Sequence, residues 1–283
     1  MSANLDKIIR QVEDKCLDPL YNQCNRQFSK INLPSHDETH HLRVWNYAKV
    51  LIHRTAKQGI PISETDVERL IVAVFFHDQG MSESLSKEHG KISRHICKSY
   101  FQTSNITAPS GFDKVLQAVE NHDQKDYAGV NRVQNEFDLK KFLNIADDLD
   151  ALGVVGAYRY LEIYLLRNTK IELLPETILT NLGARFQHFS DTFADDPSFI
   201  KAQSHQYMNA RNYFKDLNMQ LKLVEYNPEF YLGPIGVVNY IRNEIIGNKR
   251  KLREVFDTVI SAEEDFYVRH FFERLLKELT IKE

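Results

Sequence analysis

An all-α fold is predicted by three features of the chain. Apolar residues recur at helical spacing along most of its length, strand-type alternation is essentially absent, and one short run is apolar on every side. That run, residues 70–76, reads Leu-Ile-Val-Ala-Val-Phe-Phe; it is too short to span a membrane and suits a helix buried all round. It stops at His77-Asp78. An imidazole and a carboxylate side by side at the end of a buried element cost free energy unless they are paired, hydrogen-bonded or bound to a metal.

The remaining elements follow from the same periodicity. Leu5, Ile8, Ile9, Val12, Cys16 and Leu20 form the i, i+3, i+4 stripe of a packing helix. Asn32-Leu33-Pro34-Ser35 breaks it, and Ser35 or Asp37 can cap the helix that follows. On that second helix His40 shares a face with Val44 and Tyr47, so it points toward the core, whereas His41 is rotated by about 100°. Ser63 and Asp66 have capping-box spacing ahead of the buried helix. A helix over residues 86–101 carries His89 and His95, and Phe112, Val115, Leu116 and Val119 make a stripe that ends at Asn121-His122-Asp123. Helical spacing then runs through residues 137–164, interrupted by Asp147, Asp148 and Asp150, with Asp147 and Asp150 on one face. Further helices are predicted over 178–193, 198–223, 237–246 and 263–279, separated by Asp195-Asp196-Pro197, Tyr226-Asn227-Pro228 and Gly247-Asn248. No repeat, low-complexity linker or domain boundary is evident, so the expectation is a single all-α domain over 1–283.

Composition removes several function classes. The 283 residues hold 36 basic and 39 acidic side chains, a formal charge of -3, which gives no electrostatic argument for nucleic acid or an anionic membrane. There is no basic leader with an apolar core behind it and no apolar run of about 18 residues, so the expected location is the cytoplasm. Cys16, Cys24 and Cys97 lack metal-type or redox spacing and read as reduced structural thiols. Eight of the eleven histidines fall between residues 36 and 122, so the chemistry is concentrated in the first half. His36 and His41 are expected as capping or surface residues, His53 and His95 as helix-packing residues, and His188, His205 and His270 as structural.

Taken singly, each histidine reads as a core residue bonded to a backbone carbonyl. Taken together, His40, His77-Asp78 and Asp147 place imidazoles and carboxylates on separate helices, the ligand types that suit Mn, Fe, Co, Ni or Zn, and the lack of a cysteine pair argues against a structural zinc site. The order of these residues resembles the HD-domain superfamily of metal-dependent phosphohydrolases, whose signature is a distant His, an adjacent His-Asp and a final Asp. Three stretches carry the resemblance: Asp37-Glu38-Thr39-His40-His41-Leu42-Arg43-Val44, in which Arg43 fixes the register on His40; the apolar run into His77-Asp78; and Ile145-Ala146-Asp147-Asp148-Leu149-Asp150-Ala151-Leu152-Gly153.

The resemblance covers residues 30–165, which it makes the metal-binding core, and leaves 166–283 as a C-terminal helical extension. It implies a helical bundle holding one or two divalent transition-metal ions (Mg being a further option), with His40, His77, Asp78 and Asp147 as ligands and His89 and His122 completing a second site. Asp78 would bridge the two and so could not act as a free base. Asp150, one turn from Asp147, and Asp123, beside His122, are the candidates to orient or deprotonate water. Arg43, Lys87 and Lys125 are the candidates to hold phosphate oxygens. The substrate implied is a nucleotide or another small phosphorylated metabolite. Two other readings use the same residues: an HD-type di-iron oxygenase, and a non-enzymatic nucleotide-sensing or scaffold module. The C-terminal helices are candidates for closing over the pocket or for a homodimer interface.

Overall fold

The computed structural model describes residues 2–124 and 137–280. Among these residues there is no strand, and the chain is an all-α bundle of twelve helices. No helix among the described residues is long and apolar enough to cross a membrane. The chain divides into two compact units, Met1–Leu149 and Asp150–Glu283.

The first unit is organised around the apolar run. Helices α1 (Ser2–Phe28), α2 (Glu38–Lys57) and α3 (Glu64–Phe76) are followed by a 3₁₀ turn (Gln79–Ser82), α4 (His89–Thr103), α5 (Phe112–Glu120) and α6 (Leu139–Asp150). Helix α3 packs against α1, α2 and α5, while α4 packs against α5 and the 3₁₀ turn. This is why Leu70 through Phe76 are all buried: a helix with neighbours on three sides has no polar face to spare. The predicted capping box is present, with the Ser63 hydroxyl accepting from the Asp66 backbone and the Asp66 carboxylate accepting from the Ser63 N–H. Asp37, rather than Ser35, caps α2 by accepting from the N–H groups of Thr39 and His40. All three cysteines are free and buried.

The second unit holds α7 (Gly153–Leu166), α8 (Leu174–Thr192), α9 (Pro197–Leu223), α10 (Gly233–Tyr240) with a π-helical turn (Ile241–Gly247), α11 (Leu252–Ala262) and α12 (Phe266–Thr280). Proline at the start of α9 and the Asp196 side chain accepting from the Phe199 N–H account for the predicted break. Two boundaries differ from the periodicity. The helical spacing of 137–164 is cut at Gly153, whose φ of +72° only glycine adopts readily, so α6 and α7 are separate. Residues 252–262 form a helix that the periodicity over 263–279 does not include.

Candidate metal centre

Each histidine of the first unit that the resemblance selects sits at a helix end or on a helix face turned inward. His40 lies in the first turn of α2 and is fully buried, and His77 caps the C-terminus of α3. Asp78 follows with φ −108° and ψ 5°, the bridge region of backbone space, which turns its side chain out of the helical register. His89 opens α4, His122 follows α5, and Asp147 lies on α6. All six are buried.

Two donor groups result. His40, His77, Asp78 and Asp147 form one; Asp78, His89 and His122 form the other; within each, the donor atoms lie within 4.8 Å of one another. Asp78 divides its oxygens between them. Oδ2 lies 3.2 Å from His77 Nε2 and 3.6 Å from His40 Nε2, while Oδ1 lies 2.9 Å from His122 Nε2 and 3.3 Å from His89 Nε2. Asp147 Oδ1 stands 3.9 Å from both His40 and His77 Nε2. The histidine nitrogens also face each other, His40 to His77 at 3.4 Å and His89 to His122 at 3.3 Å. Nitrogens that close need a shared proton or a cation between them.

The other ring nitrogen decides which. His77 Nδ1 lies 2.8 Å from the Val74 carbonyl, His89 Nδ1 2.7 Å from the Ser86 carbonyl, and His122 Nδ1 2.7 Å from the Val119 carbonyl. A carbonyl only accepts, so each Nδ1 carries a proton, and it is Nε2 that faces the cluster, its lone pair free to bind once the proton there is displaced. That is the tautomer a metal ligand requires. The donor set therefore fits one or two divalent ions, with nitrogen and oxygen ligands.

The charges are arranged accordingly. Burial pushes the Asp78 carboxyl up, but His77, His122 and His40 outweigh it and hold the group well below the usual carboxylate range. Burial likewise pushes His77 down, and the Asp78 and Asp147 carboxylates reverse this, raising it to about 10. His89 follows the same pattern with Asp78 and Asp123, and rises to about 9. In metal-free protein the folded state thus binds these protons more tightly than the unfolded state, in which histidine titrates near 6.5. Their contribution to stability is complete below pH 6.5 and is lost as the pH rises through about 9 and 10. The melting temperature of metal-free protein is expected to fall over that interval, whereas with a saturating divalent ion the fall should be absent, because the ion displaces those protons. Differential scanning calorimetry from pH 6 to 10, with and without metal, checks both.

The other candidate residues are distributed unevenly. Asp123 reaches from a half-exposed position to place Oδ2 3.2 Å from His89 Nε2. Asp150 is buried and paired with Arg159 at 3.0 Å within the second unit, and it is not among the residues whose donor atoms converge. Arg43 donates to Thr39 Oγ1 one turn back on α2 at 3.2 Å. Lys87 is exposed in the turn before α4, two residues ahead of His89. Lys125 lies outside the described residues.

Four histidines depart from their expected settings. His36 is buried, with Nδ1 2.6 Å from the Ser35 hydroxyl and Nε2 3.7 Å from Asp78 Oδ2; it belongs to the rim of the cluster and not to the surface. Helical spacing gives no signal for it, because it precedes the start of α2. His41 is fully buried too, donating from Nδ1 to the Asp37 carbonyl and lying beside Phe28 and Phe75. Its Nε2 has no hydrogen-bond partner among the described residues, and burial, then His40 and His77, hold it well below its ordinary pKa. It is a neutral core residue. His95 is exposed on α4, and His53 is partly exposed with Nε2 3.4 Å from Asp6. Among the described residues none of His188, His205 and His270 joins a donor group.

Two glycines bring the elements this close. A Cβ on Gly80 would stand 2.1 Å from the His89 carbonyl oxygen, and one on Gly90 would stand 2.4 Å from the Glu120 carbonyl oxygen. The 3₁₀ turn, α4 and α5 therefore touch backbone to backbone, which puts Asp78, His89 and His122 within reach of one another.

Comparison with curated proteins and with solved structures finds no match. A family model, HD-CE, matches residues 18–202, a span that contains every residue of both donor groups and extends beyond the 30–165 core expected from the sequence. With well over half of its length matched and the His/Asp cluster assembled inside that span, the chain belongs to the HD-CE family, an HD-domain-like family.

Proposed function

We propose that this protein is a metal-dependent phosphohydrolase that cleaves a phosphate ester or phosphoanhydride bond of a nucleotide or another small phosphorylated metabolite. The observation that carries this reading is the shared Asp78, whose two oxygens face two separate sets of imidazole nitrogens. His40, His77, Asp78 and Asp147 would hold one ion, and Asp78, His89 and His122 a second. A bound divalent ion supplies Lewis acidity toward phosphoryl oxygens and lowers the pKa of water. The protein's own residues do the rest. Asp78, committed through both oxygens, is unavailable as a base. Asp123, half-exposed and 3.2 Å from His89, is the acid positioned to orient water and take its proton. Arg43 and Lys87 are the cations assigned to the phosphate.

Metal analysis of protein purified without chelator or nickel, paired with a phosphate-release screen in Mn, Fe, Co, Ni, Zn and Mg, tests the proposal. One or two ions per chain and metal-dependent phosphate release are expected. Asp123→Asn should keep the metal and lower turnover about 100-fold. Protein that takes up no metal and releases no phosphate would overturn the reading. Oxygen consumption with iron and no phosphate release would select a di-iron oxygenase; nucleotide binding without turnover would select a sensing module.

A further inference from the structure

A cavity of about 650 Å³ opens between α3, α5 and the start of α6, lined by none of the residues in the two donor groups. Its volume is in the range of small-molecule sites. Three cations from three helices face it: Arg69, Lys114 and Lys140. Arg69 is held in place, donating from Nε to the Ser110 carbonyl at 2.6 Å, with the left-handed Gly111 lying against its guanidinium. Lys140 spends one bond on the Gln124 carbonyl at 3.1 Å. Lys114 is exposed and has no partner among the described residues. It shares a face of α5 with Gln117 and Asn121, at i+3 and i+7.

The two carboxylates at the cavity are already engaged. Asp66 Oδ2 accepts from the Ser63 backbone and hydroxyl at 3.1 and 2.6 Å while its Oδ1 stands 3.7 Å from Arg69 Nη1, and Asp138 Oδ1 accepts from the Lys141 N–H at 3.0 Å. Their helix-capping bonds fix them at the walls, leaving the lysines to meet a ligand. Part of the lining is apolar: Ala118, Leu139 and Phe137, the last with its ring 4.6 Å from that of Phe142.

We infer that this cavity is a second ligand site, separate from the metal centre, that takes a small polyphosphate anion with an apolar or aromatic moiety. Lys114 and Lys140 meet the phosphates, with Arg69 and its partner Asp66 forming the wall behind them; the amides of Gln117 and Asn121 meet polar edges, and the apolar lining covers a ring. Because Asn121 lines the cavity and precedes His122, the site sits at the same end of α5 as a residue of the second donor group.

The test uses the full chain stripped of metal by chelation and dialysis, titrated calorimetrically with ADP and with inorganic pyrophosphate. One site per chain is expected, with ADP tighter than pyrophosphate, and affinity falling as salt rises. Lys114→Glu/Lys140→Glu should weaken ADP at least tenfold, and the exposed Lys114→Glu alone should weaken it measurably. His77→Ala should leave it unchanged. The inference is overturned if neither ligand binds at millimolar concentration, if the lysine variants bind as wild type does, or if His77→Ala abolishes binding. None of these readouts requires metal or turnover, so they are independent of the phosphohydrolase reading.

Discussion

Asp78→Ala is expected to remove both metal ions in one substitution, whereas Asp147→Ala removes one. The asymmetry follows from the oxygens: Oδ2 serves the His40/His77 side at 3.6 and 3.2 Å, and Oδ1 serves the His89/His122 side at 3.3 and 2.9 Å, whereas among the described residues Asp147 belongs to the His40/His77 donor group and not to the His89/His122 one. Removing even an outer-shell partner of a ligand costs about 10–100-fold in metal affinity or activity. Loss of a shared ligand should exceed that, and phosphate release should fall by at least about 100-fold. Metal content per chain, measured for both variants beside wild type, checks the prediction. Asp78→Ala protein that still carries two ions would show that Asp78 is not shared.

Gly80→Ala is expected to destabilise the first unit by about 3 kcal/mol, the upper part of the range for overpacking a close contact. The added carbon would lie 2.1 Å from the His89 carbonyl oxygen, 2.7 Å from the Ser93 backbone nitrogen and 2.9 Å from the Ser93 hydroxyl oxygen. Two of those three neighbours are backbone at the start of α4, so no side-chain rotation relieves the clash. Separation of the 3₁₀ turn from α4 would also stretch the bond from the Gly80 N–H to the Ser93 hydroxyl, now 2.8 Å, and carry His89 away from Asp78. Urea denaturation of the metal-free variant gives the stability, and metal analysis should show the ion of the His89/His122 side lost before that of the His40/His77 side. Unchanged stability would mean that the turn and α4 are free to part.

The all-α fold and the residues that converge were legible because both are written in short-range pattern. Helical spacing fixed the inward face of α2, the abrupt end of an apolar run marked His77-Asp78, and Arg43 set the register on His40. Where legibility ended, the deciding contact is distant in the chain or outside a regular element. His36 precedes α2, so helical spacing did not place it beside Asp78. Asp150 shares a helical face with Asp147, yet its partner Arg159 becomes visible only once Gly153 is known to break the helix between them. The apolar periodicity runs straight through that glycine, and only its positive φ reveals the turn. The indispensability of Gly80 is likewise unreadable in one dimension, since the atom it avoids is nine residues away on another element.

The carbonyls that fix His77, His89 and His122 belong to Val74, Ser86 and Val119, in each case the residue three positions earlier. Ring orientation is consequently set within each local turn. The rotational entropy of these side chains is already lost on folding and need not be lost again when an ion arrives. Such a site is a stiff mould. Stiffness favours cations that accept the existing spacing over those that would need the ligands to open or close around them, so discrimination among candidate ions should follow radius and coordination geometry more than intrinsic affinity.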